Sequence, residues 1–341
     1  MVATSIQKTD NALFGHRNYV LSGALSASSS VAGLGVENLQ NDQGSAASAW
    51  QTAVGVLTAS LLIDAGGIAP WRMFGFFRSN ATIGANVRWR LSNSPDMSNP
   101  VLDTGWGNAG VKREYLQHVF CPRILPAFVP EPAPVLVSET EDVIVTAEGD
   151  NIAMGLGPSS AISIDQPTDT VIDEFLGEED GTQVVTDGTG IPSGGPLLAR
   201  YCLFEIEDLN NDELFLNIPF IYAGDAWEPS RQISSESSWG MDAVVLETTT
   251  RGGQEFPDFQ HMKRRWEIAM DSLATDEVFV GLAEVLRFCA RGRNVLFVPF
   301  PHGDNRNYEA VYGRLSTKSD VTFRDKSGAF RAFRATVTER L

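Results

Sequence analysis

Short runs of alternating apolar and polar residues dominate the chain up to residue 123. In residues 86–91, Val87, Trp89 and Leu91 are apolar and the residues between them are polar, which is the pattern of a half-buried antiparallel strand. Similar runs at 60–64 and 73–77 are separated by Gly, Ser, Asn and Pro. Many short strands with turn residues between them predict a β-sandwich or jelly roll.

The same strand pattern returns after residue 199. Residues 200–206 and 215–218 are strand-like, and Asp208, Asn210, Asn211 and Asp212 lie between them. Asn and Asp favour turns because their side chains bond to the nearby backbone. The two runs are therefore predicted to form a hairpin.

The last third of the chain mixes strands with one helix. Residues 264–270 alternate like a strand, and a helix is predicted over 274–290 with Thr275 or Ser272 as its cap. Its apolar stripe consists of Val278, Leu282, Val285 and Leu286. Gly292 ends the helix, and strands at 294–299, 312–315 and 330–337 follow.

The middle of the chain differs in composition from both ends. Residues 126–134 contain four prolines, and residues 124–199 contain 14 acidic residues and no Lys or Arg. Such an unbalanced charge opposes compaction, so this segment is predicted to be an insertion. The predicted domains are a jelly roll over 1–123 with 200–228, the acidic insertion 124–199, and a second β domain over 229–341. The fold class is mainly β.

The overall charge narrows the range of partners. The net charge of the 341-residue chain is −17, which argues against a nucleic-acid binder, because that function needs a basic face. No apolar run approaches the ~20 residues of a membrane span, and the first residues lack the pattern of a signal peptide. Cys121, Cys202 and Cys289 are widely spaced, which predicts buried free thiols in a chain made in a reducing compartment.

No motif of a known catalytic site is present. The sequence lacks a nucleophile elbow, a phosphate-binding loop and a zinc-protease motif, and its four histidines are scattered. We therefore expect no enzymatic activity and no cofactor. Calcium is an alternative at Asp208–Glu213 or at the acidic residues of 173–180, because hard cations prefer clustered carboxylates. A plain turn and a solvated acidic loop are the simpler interpretations of these two segments.

Several sequence landmarks resemble tail proteins of long-tailed bacteriophages. Residues 36–39, 62–66, 74–76 and 86–89 are similar to a discoidin (galactose-binding-like) jelly roll. Residues 200–208, Ile218, 223–230 and 251–254, with the strand–helix–strand ending, carry the resemblance to phage tail proteins. In jelly rolls of this kind, strands equivalent to residues 200–220 complete the sheet. The C-terminal part is similar to the β-sandwich-plus-helix unit of tail-tube and distal-tail proteins. The order of the two units differs from many distal-tail proteins, in which the tube-like unit comes first.

The resemblance implies a structural protein of the tail, in the distal tail, baseplate or tail-tip ring. It implies assembly with other tail proteins as a homo-oligomeric ring, a hexamer or a trimer, and location in the virion after synthesis in the host cytoplasm. The alternative is a receptor-binding module whose jelly roll recognises host-surface glycan. Candidate contacts for glycan or partner, taken from loop-like stretches, are Trp50, Trp71, Arg78, Asn80, Trp106 and Asn108. Trp89 and Trp266 are predicted to lie in the core.

A ring also constrains where the insertion lies. About six copies of a segment with charge −14 repel one another, and salt screens this repulsion only over about 8 Å. The insertion is therefore expected on the outer, solvent side of the ring and not in its lumen.

Overall fold

The computed structural model describes residues 11–112, 116–122, 196–249, 253–318, 320–324 and 330–340, together with the backbone of two short strands at 152–153 and 161–162. The described chain is mainly β, as predicted, and its strands pair in antiparallel sheets. Most of the insertion, including the proline-rich stretch 126–134 and the acidic residues 173–180, lies outside the described residues.

The strands in chain order are β1 (Leu13–Asn18), β2 (Ala24–Ala27), β3 (Trp50–Gln51), β4 (Thr58–Trp71), β5 (Met73–Phe77), β6 (Asn86–Ser92), β7 (Leu102–Asp103), β8 (Gly107–Asn108), β9 (His118–Phe120), β10 (Ile152–Ala153), β11 (Ala161–Ile162), β12 (Leu197–Glu207), β13 (Asn217–Ile218), β14 (Phe220–Trp227), β15 (Ser238–Thr249), β16 (Glu255–Ala274), β17 (Val295–Val298), β18 (Val311–Thr317), β19 (Thr322–Phe323) and β20 (Phe330–Glu339). Helical turns lie at Tyr19–Leu21, Val36–Gln40 and Arg306–Glu309.

One layer of the sandwich is a six-stranded sheet in the order β2-β4-β12-β6-β7, with β8 paired to β6. Strand β12 begins at Leu197, so the last three residues of the predicted insertion 124–199 belong to it. It pairs with β4 on one side and with β6 on the other. The sheet thus joins strands from before and after the insertion, and Trp71 at the end of β4 lies opposite Leu197 at the start of β12.

The other layer is part of a longer sheet with the order β15-β16-β20-β18-β17-β1-β14-β5-β9. Strand β1 pairs with β14 on one side and with β17 on the other. The predicted domain boundary at residue 228 therefore divides strands that belong to one continuous hydrogen-bonded sheet. The boundaries themselves stay a prediction.

Two hydrophobic cores lie on the same face of this long sheet. Ile221 and Ala223 of β14 belong to the core under the six-stranded sheet. In this core the ring centroids of Trp89 and Phe204 are 4.5 Å apart. Trp227, further along the same strand, packs against the second core. Because side chains of equal parity share a face of a strand, the six-stranded sheet and the second core cover neighbouring parts of one surface.

The second core is covered by a helical segment over residues 275–290. It consists of an α-turn at Thr275–Glu277, a π-helical turn at Val278–Leu282 and an α-helix at Ala283–Ala290. Val278, Leu282 and Val285 are buried, as the stripe predicts. The segment ends at Gly292, whose φ of +77° suits glycine.

Two local predictions were wrong. The helical segment is capped at Ala274, whose N–H donates to the Glu277 carboxylate at 2.9 Å, and not by Ser272 or Thr275. Residues 217–218 pair with β3 and not with β12, so 200–206 and 215–218 do not form a hairpin. A two-residue strand carries too little local pattern to choose its partner, so the pairing depends on what the tertiary structure brings beside it.

The three cysteines are free, as the sequence predicts. Cys121 and Cys202 are buried, and burial raises the pKa of the Cys121 thiol to about 12. Within the described part of the chain, none of the helices has the length and apolar character needed to cross a membrane.

Candidate functional site

Two of the predicted glycan contacts lie in the hydrophobic core. Trp50 and Trp71 are fully buried, and their indole N–H groups donate to Ser29 and Ala199 carbonyl oxygens, both at 2.9 Å. Neither ring can stack on a sugar, which corrects that part of the expectation. Loop-like sequence misled here because both residues lie at strand ends that the second sheet covers. Trp89 and Trp266 are buried, as predicted.

Asn80 and Arg78 are engaged in interactions within the chain. The Asn80 amide donates to Glu213 at 2.7 Å and to the Phe215 carbonyl at 2.8 Å, and its oxygen accepts from Asn217 N at 2.7 Å. Burial lowers the pKa of the Arg78 guanidinium, and the negative charge of Glu339 partly offsets this decrease. Asn80 therefore stabilises the loop around it, and Arg78 lies near the C-terminal strand.

Trp106 and Asn108 are the predicted contacts that remain at the surface. Trp106 is 46 % exposed and immediately precedes β8, in which Asn108 lies. Asn108 donates to the Ile83 carbonyl at 3.0 Å and accepts from Gly110 N at 2.8 Å. The structure thus separates the six predicted contacts into buried, engaged and exposed residues, and it does not bring them together at one site.

The first calcium alternative corresponds to a hydrogen-bonded turn. Asp208 is buried, and its carboxylate accepts from Thr82 N and Thr82 Oγ1 at 2.8 and 2.6 Å and from Asn211 Nδ2 at 3.1 Å. These bonds join the turn to the loop at Thr82. The described residues contain no group of three or more His, Cys, Asp or Glu side chains placed to hold a metal, and residues 173–180 lie outside them.

The most distinctive surface is a projecting hairpin made by β15 and β16. The two strands pair from Ser238 opposite Glu267 to Thr249 opposite Glu255. β16 pairs with β20 only over Arg265–Ala274, so residues 255–264 have β15 as their one partner among the described strands. Residues 241–249 and 255–264 form a two-stranded ribbon beyond the sheet, which we call the arm. The outer edge of β15 is free of any described strand.

One face of the arm is strongly apolar. The cross-strand register, with a bulge next to Val245, places Ala243 opposite Met262 and Val245 opposite Phe259. Strand alternation adds Trp239 and Met241 to this side. We define Met241, Val245, Phe259 and Met262, together with Trp239 just before the arm, as the apolar face of the arm; each is 40–58 % exposed.

The opposite face of the arm is mixed. Asp242 pairs with Lys263, Val244 with His261 and Leu246 with Asp258. Each of these three cross-strand pairs includes at least one polar or charged side chain. The arm is therefore amphipathic although it packs against no described element along its outer part.

The root of the arm is fixed by a buried arginine. Arg264 is 3 % exposed, and its Nε donates to Glu339 at 3.0 Å while Nη2 donates to Gln117 Oε1 at 2.8 Å. Nη1 donates to the Tyr308 and Ala310 carbonyls at 3.0 and 3.1 Å. Gln117 immediately precedes β9, and Glu339 is the last residue of β20. One guanidinium therefore connects the root of the arm to both of these strands.

The sequence interpretation missed the arm. Its signal is the Gly252-Gly253 pair between a run rich in Val and Thr at 243–250 and the alternating residues 255–262. Two glycines between strand-like runs are typical of a hairpin. The sequence does not show that this hairpin projects with an exposed apolar face. The same strand-like pattern is also typical of a strand whose apolar side packs on a core.

Comparisons with known proteins give no family assignment. The sequence matches no protein-family model and no curated protein. Among solved structures, a fucosidase of Ruminococcus gnavus in complex with fucose is similar, with 11% sequence identity and a TM-score of 0.31. The alignment covers 62% of this chain and 27% of the fucosidase. The lectin domain of lectinolysin, complexed with Lewis B antigen, is 10% identical with a TM-score of 0.31 and covers 61% of this chain and 96% of its own.

A fucolectin from Morone saxatilis is similar at the same level, with 11% identity and a TM-score of 0.28, covering 76% of this chain and 71% of the fucolectin. These proteins are carbohydrate-binding by their names. At such low scores and identities the likeness supports no statement about what this chain binds.

Proposed function

We propose that this chain is a structural subunit of a bacteriophage tail and assembles into a homo-oligomeric ring through the apolar face of the arm. The observation that carries the assembly is the exposure of Trp239, Met241, Val245, Phe259 and Met262 on one side of a ribbon. Contiguous exposed apolar surface of this kind is typical of an interface. The tail itself rests on the resemblance of the sequence, and so does location in the virion.

The apolar face continues the second core outward. Trp266, opposite Trp239, is buried in that core next to Phe297. On the same side of β16 the next residue, Arg264, is buried in its own hydrogen-bond network, and Met262 and Phe259 beyond it are exposed. The side of the long sheet that covers the second core thus continues along the arm, where apolar side chains are exposed. A neighbouring subunit that packs on the arm would complete this core, and no catalytic role is part of the proposal.

Two adjacent valines provide a matched test of the assembly. Val245 lies on the apolar face and Val244 on the opposite face, and they are 40 % and 39 % exposed. We expect Val245→Asp to abolish the oligomer, because a charge in an apolar interface is left unpaired. Val244→Asp, the same substitution one residue away, should retain it. Light scattering coupled to size-exclusion chromatography measures the mass of each variant.

The result also distinguishes a hexamer from a trimer, since the wild-type mass gives the number of copies of the 37.1 kDa chain. A wild-type chain that is monomeric at all concentrations, or equal loss of assembly in both valine variants, would contradict assembly through the apolar face. Thermal melting of both variants is the control for correct folding.

A second candidate function is recognition of host-surface glycan by the jelly roll. It rests on Trp106, whose half-exposed ring lies two residues from Asn108, because sugars stack on aromatic rings and bond to amides beside them. A glycan array probed with the wild-type chain and with Trp106→Ala tests it. Binding that Trp106→Ala removes would support recognition at this loop, and an array without any signal would contradict it.

A further inference from the structure

A second surface feature is a cleft between β1 and the helical segment. Its volume is about 570 Å³, and its lining includes three arginines, Arg17, Arg287 and Arg291. Phe279 and Val280 lie at its rim as exposed apolar residues. The cleft lies away from the arm, on the helical side of the second core.

A buried histidine is directed into this cleft without a hydrogen-bond partner at one nitrogen. His16 is 4 % exposed, and its Nε2 atom has no such partner. Its Nδ1 lies 3.3 Å from the Phe14 carbonyl oxygen, and Glu284 Oε1 is 3.7 Å from Nε2. Because the Nδ1 that faces a carbonyl oxygen must carry the ring proton, Nε2 is a hydrogen-bond acceptor in the neutral ring. A buried polar atom without a bond is costly, so Nε2 favours a donor that enters the cleft, such as a peptide N–H.

The charge of the cleft is positive. Glu284 is its one acidic lining residue, and it already forms an ion pair with Arg17. Arg287 and Arg291 lie one helical turn apart and are exposed. Neither forms an ion pair with a carboxylate in the part of the chain that the structure describes. The cleft thus combines two uncompensated positive charges with apolar rim residues.

A peptide that fits this chemistry carries several carboxylates around apolar side chains. Residues 173–180 of this chain read Asp-Glu-Phe-Leu-Gly-Glu-Glu-Asp, with five acidic residues around Phe175 and Leu176. They belong to a segment of 76 residues, 124–199, in which no Lys or Arg can neutralise them. The charges and the apolar residues are both complementary to those of the cleft.

The two ends of the insertion place this segment within reach. Leu197 lies opposite Trp71, Phe120 lies opposite Phe74, and β5 is joined to β1 through β14 alone. Strands are about 4.8 Å apart, so Phe120, three strand spacings from β1, lies roughly 15 Å from it across the sheet. Trp71, opposite Leu197, precedes Arg72, whose N–H donates to the Gly224 carbonyl at 2.8 Å, and Gly224 lies opposite Asn18 of β1. Residues 181–195 can span up to about 50 Å when extended.

From this geometry and charge we propose that the cleft binds the acidic segment 173–180 of the same chain. The tether makes binding intramolecular, so the effective concentration of the segment is of the order of millimolar. Docking would neutralise part of the insertion's charge and hold it against the helical segment. The proposal is independent of ring assembly, because it involves no residue of the arm.

Disulfide trapping identifies the occupant. In a Cys289→Ser background, Leu176→Cys is combined with Phe279→Cys at the rim of the cleft, or with Phe323→Cys as a control. Phe323 is 72 % exposed on β19, outside the cleft. We expect rapid cross-linking within one chain for the cleft pair and slow cross-linking for the control. Equal rates for both pairs, or bonds only between two chains, would overturn the proposal.

Peptide binding tests the chemistry. The receptor is the full chain with its five acidic residues of 173–180 replaced by the matching amides, and the probe is a fluorescent peptide of residues 171–182. Fluorescence anisotropy should show binding that weakens with salt. Arg287→Gln and Arg291→Gln should each weaken it about fivefold, whereas Arg314→Gln on β18 should not. Absence of binding, or equal effects of all three substitutions, would refute the assignment.

Discussion

At the scale of single residues, close contacts and buried titratable groups determine which substitutions the fold tolerates. Gly281 lies in the π-helical turn directly against the indole of Trp227, and a Cβ atom there would overlap the ring. Trp227 in turn packs on Phe14, with ring centroids 5.3 Å apart. The helical segment can approach the sheet this closely only because residue 281 has no side chain.

Gly281→Ala should therefore destabilise the protein by about 1–3 kcal/mol, the usual cost of overpacking a core. Gly67→Ala is the control, because a Cβ atom at Gly67 meets no atom within 4 Å. Urea denaturation followed by tryptophan fluorescence measures both. Equal stability of the two variants would show that the helical segment shifts without cost.

His118 couples stability to pH. Its Nδ1 lies 2.6 Å from the Ala109 carbonyl, and Trp89 Nε1 donates toward its Nε2 at 3.4 Å, so the folded protein holds the neutral ring. Burial lowers the pKa of His118 to about 4. In the unfolded chain the ring takes up a proton near pH 6.5.

Because only the unfolded state binds this proton, the stabilisation is present above about pH 6.5 and is lost as the pH falls toward 4, by about 3 kcal/mol in total. Denaturation at a series of pH values should give a shallower slope in this window for His118→Gln than for wild type. Parallel curves for wild type and His118→Gln would refute the assignment.

At the scale of elements, the arm depends on how its root is held. Adjacent residues of β16 differ in burial, since Arg264 is buried with Glu339 while Arg265 is exposed beside Asp242. The buried guanidinium donates to the Tyr308 and Ala310 carbonyl oxygens and to the Gln117 amide oxygen. Its removal would leave the Glu339 carboxylate half-buried and without its partner.

Arg264→Met should cost about 3–5 kcal/mol, as expected when one partner of a buried ion pair is removed. Arg265→Met should cost less than about 1 kcal/mol, because exposed ion pairs contribute little. Chemical denaturation of both variants tests the difference. A cost for Arg264→Met as small as that for Arg265→Met would mean that the buried network contributes nothing.

At the scale of the whole molecule, one sheet joins the jelly roll to the C-terminal strands, while the acidic insertion is attached at strand ends that lie close together. Strand β1 bonds to β14 and to β17, so neither part of the long sheet ends at residue 228. The segment between β9 and β12, by contrast, contains all but the last three residues of the predicted insertion. Phe120 and Leu197, the residues at its two ends, face neighbouring residues of β5 and β4.

Replacing residues 126–193 by a short Gly/Ser linker should therefore leave one cooperative transition with a stability within about 1–2 kcal/mol of wild type, since loop length changes folding free energy only slowly. Differential scanning calorimetry measures this. A chain that melts without cooperativity, or that no longer folds, would show that the insertion contributes to the core.

The sequence by itself determined the local structure. Alternation predicted the strand at Val87–Leu91, and a continuous apolar run predicted the buried strand at Asn294–Pro299. A 3.6-residue stripe predicted the helical segment with Leu282 inside and Gly292 at its end. These signals are local, because each depends on which side of one element is buried. The charge of the insertion and the absence of catalytic motifs were likewise properties of the sequence alone.

Only the tertiary structure decided which of these surfaces stay exposed. Trp50 and Trp106 both lie in loop-like sequence, yet a covering sheet buries the first and leaves the second at the surface. Val245 and Val87 both belong to strand-like runs, but Val87 faces the sandwich core while Val245 lies on the arm, past the end of the pairing between β16 and β20. His16 and Arg287 come from distant parts of the chain and meet in one cleft. Burial depends on what packs from elsewhere in the chain, and a local pattern holds no information about that partner.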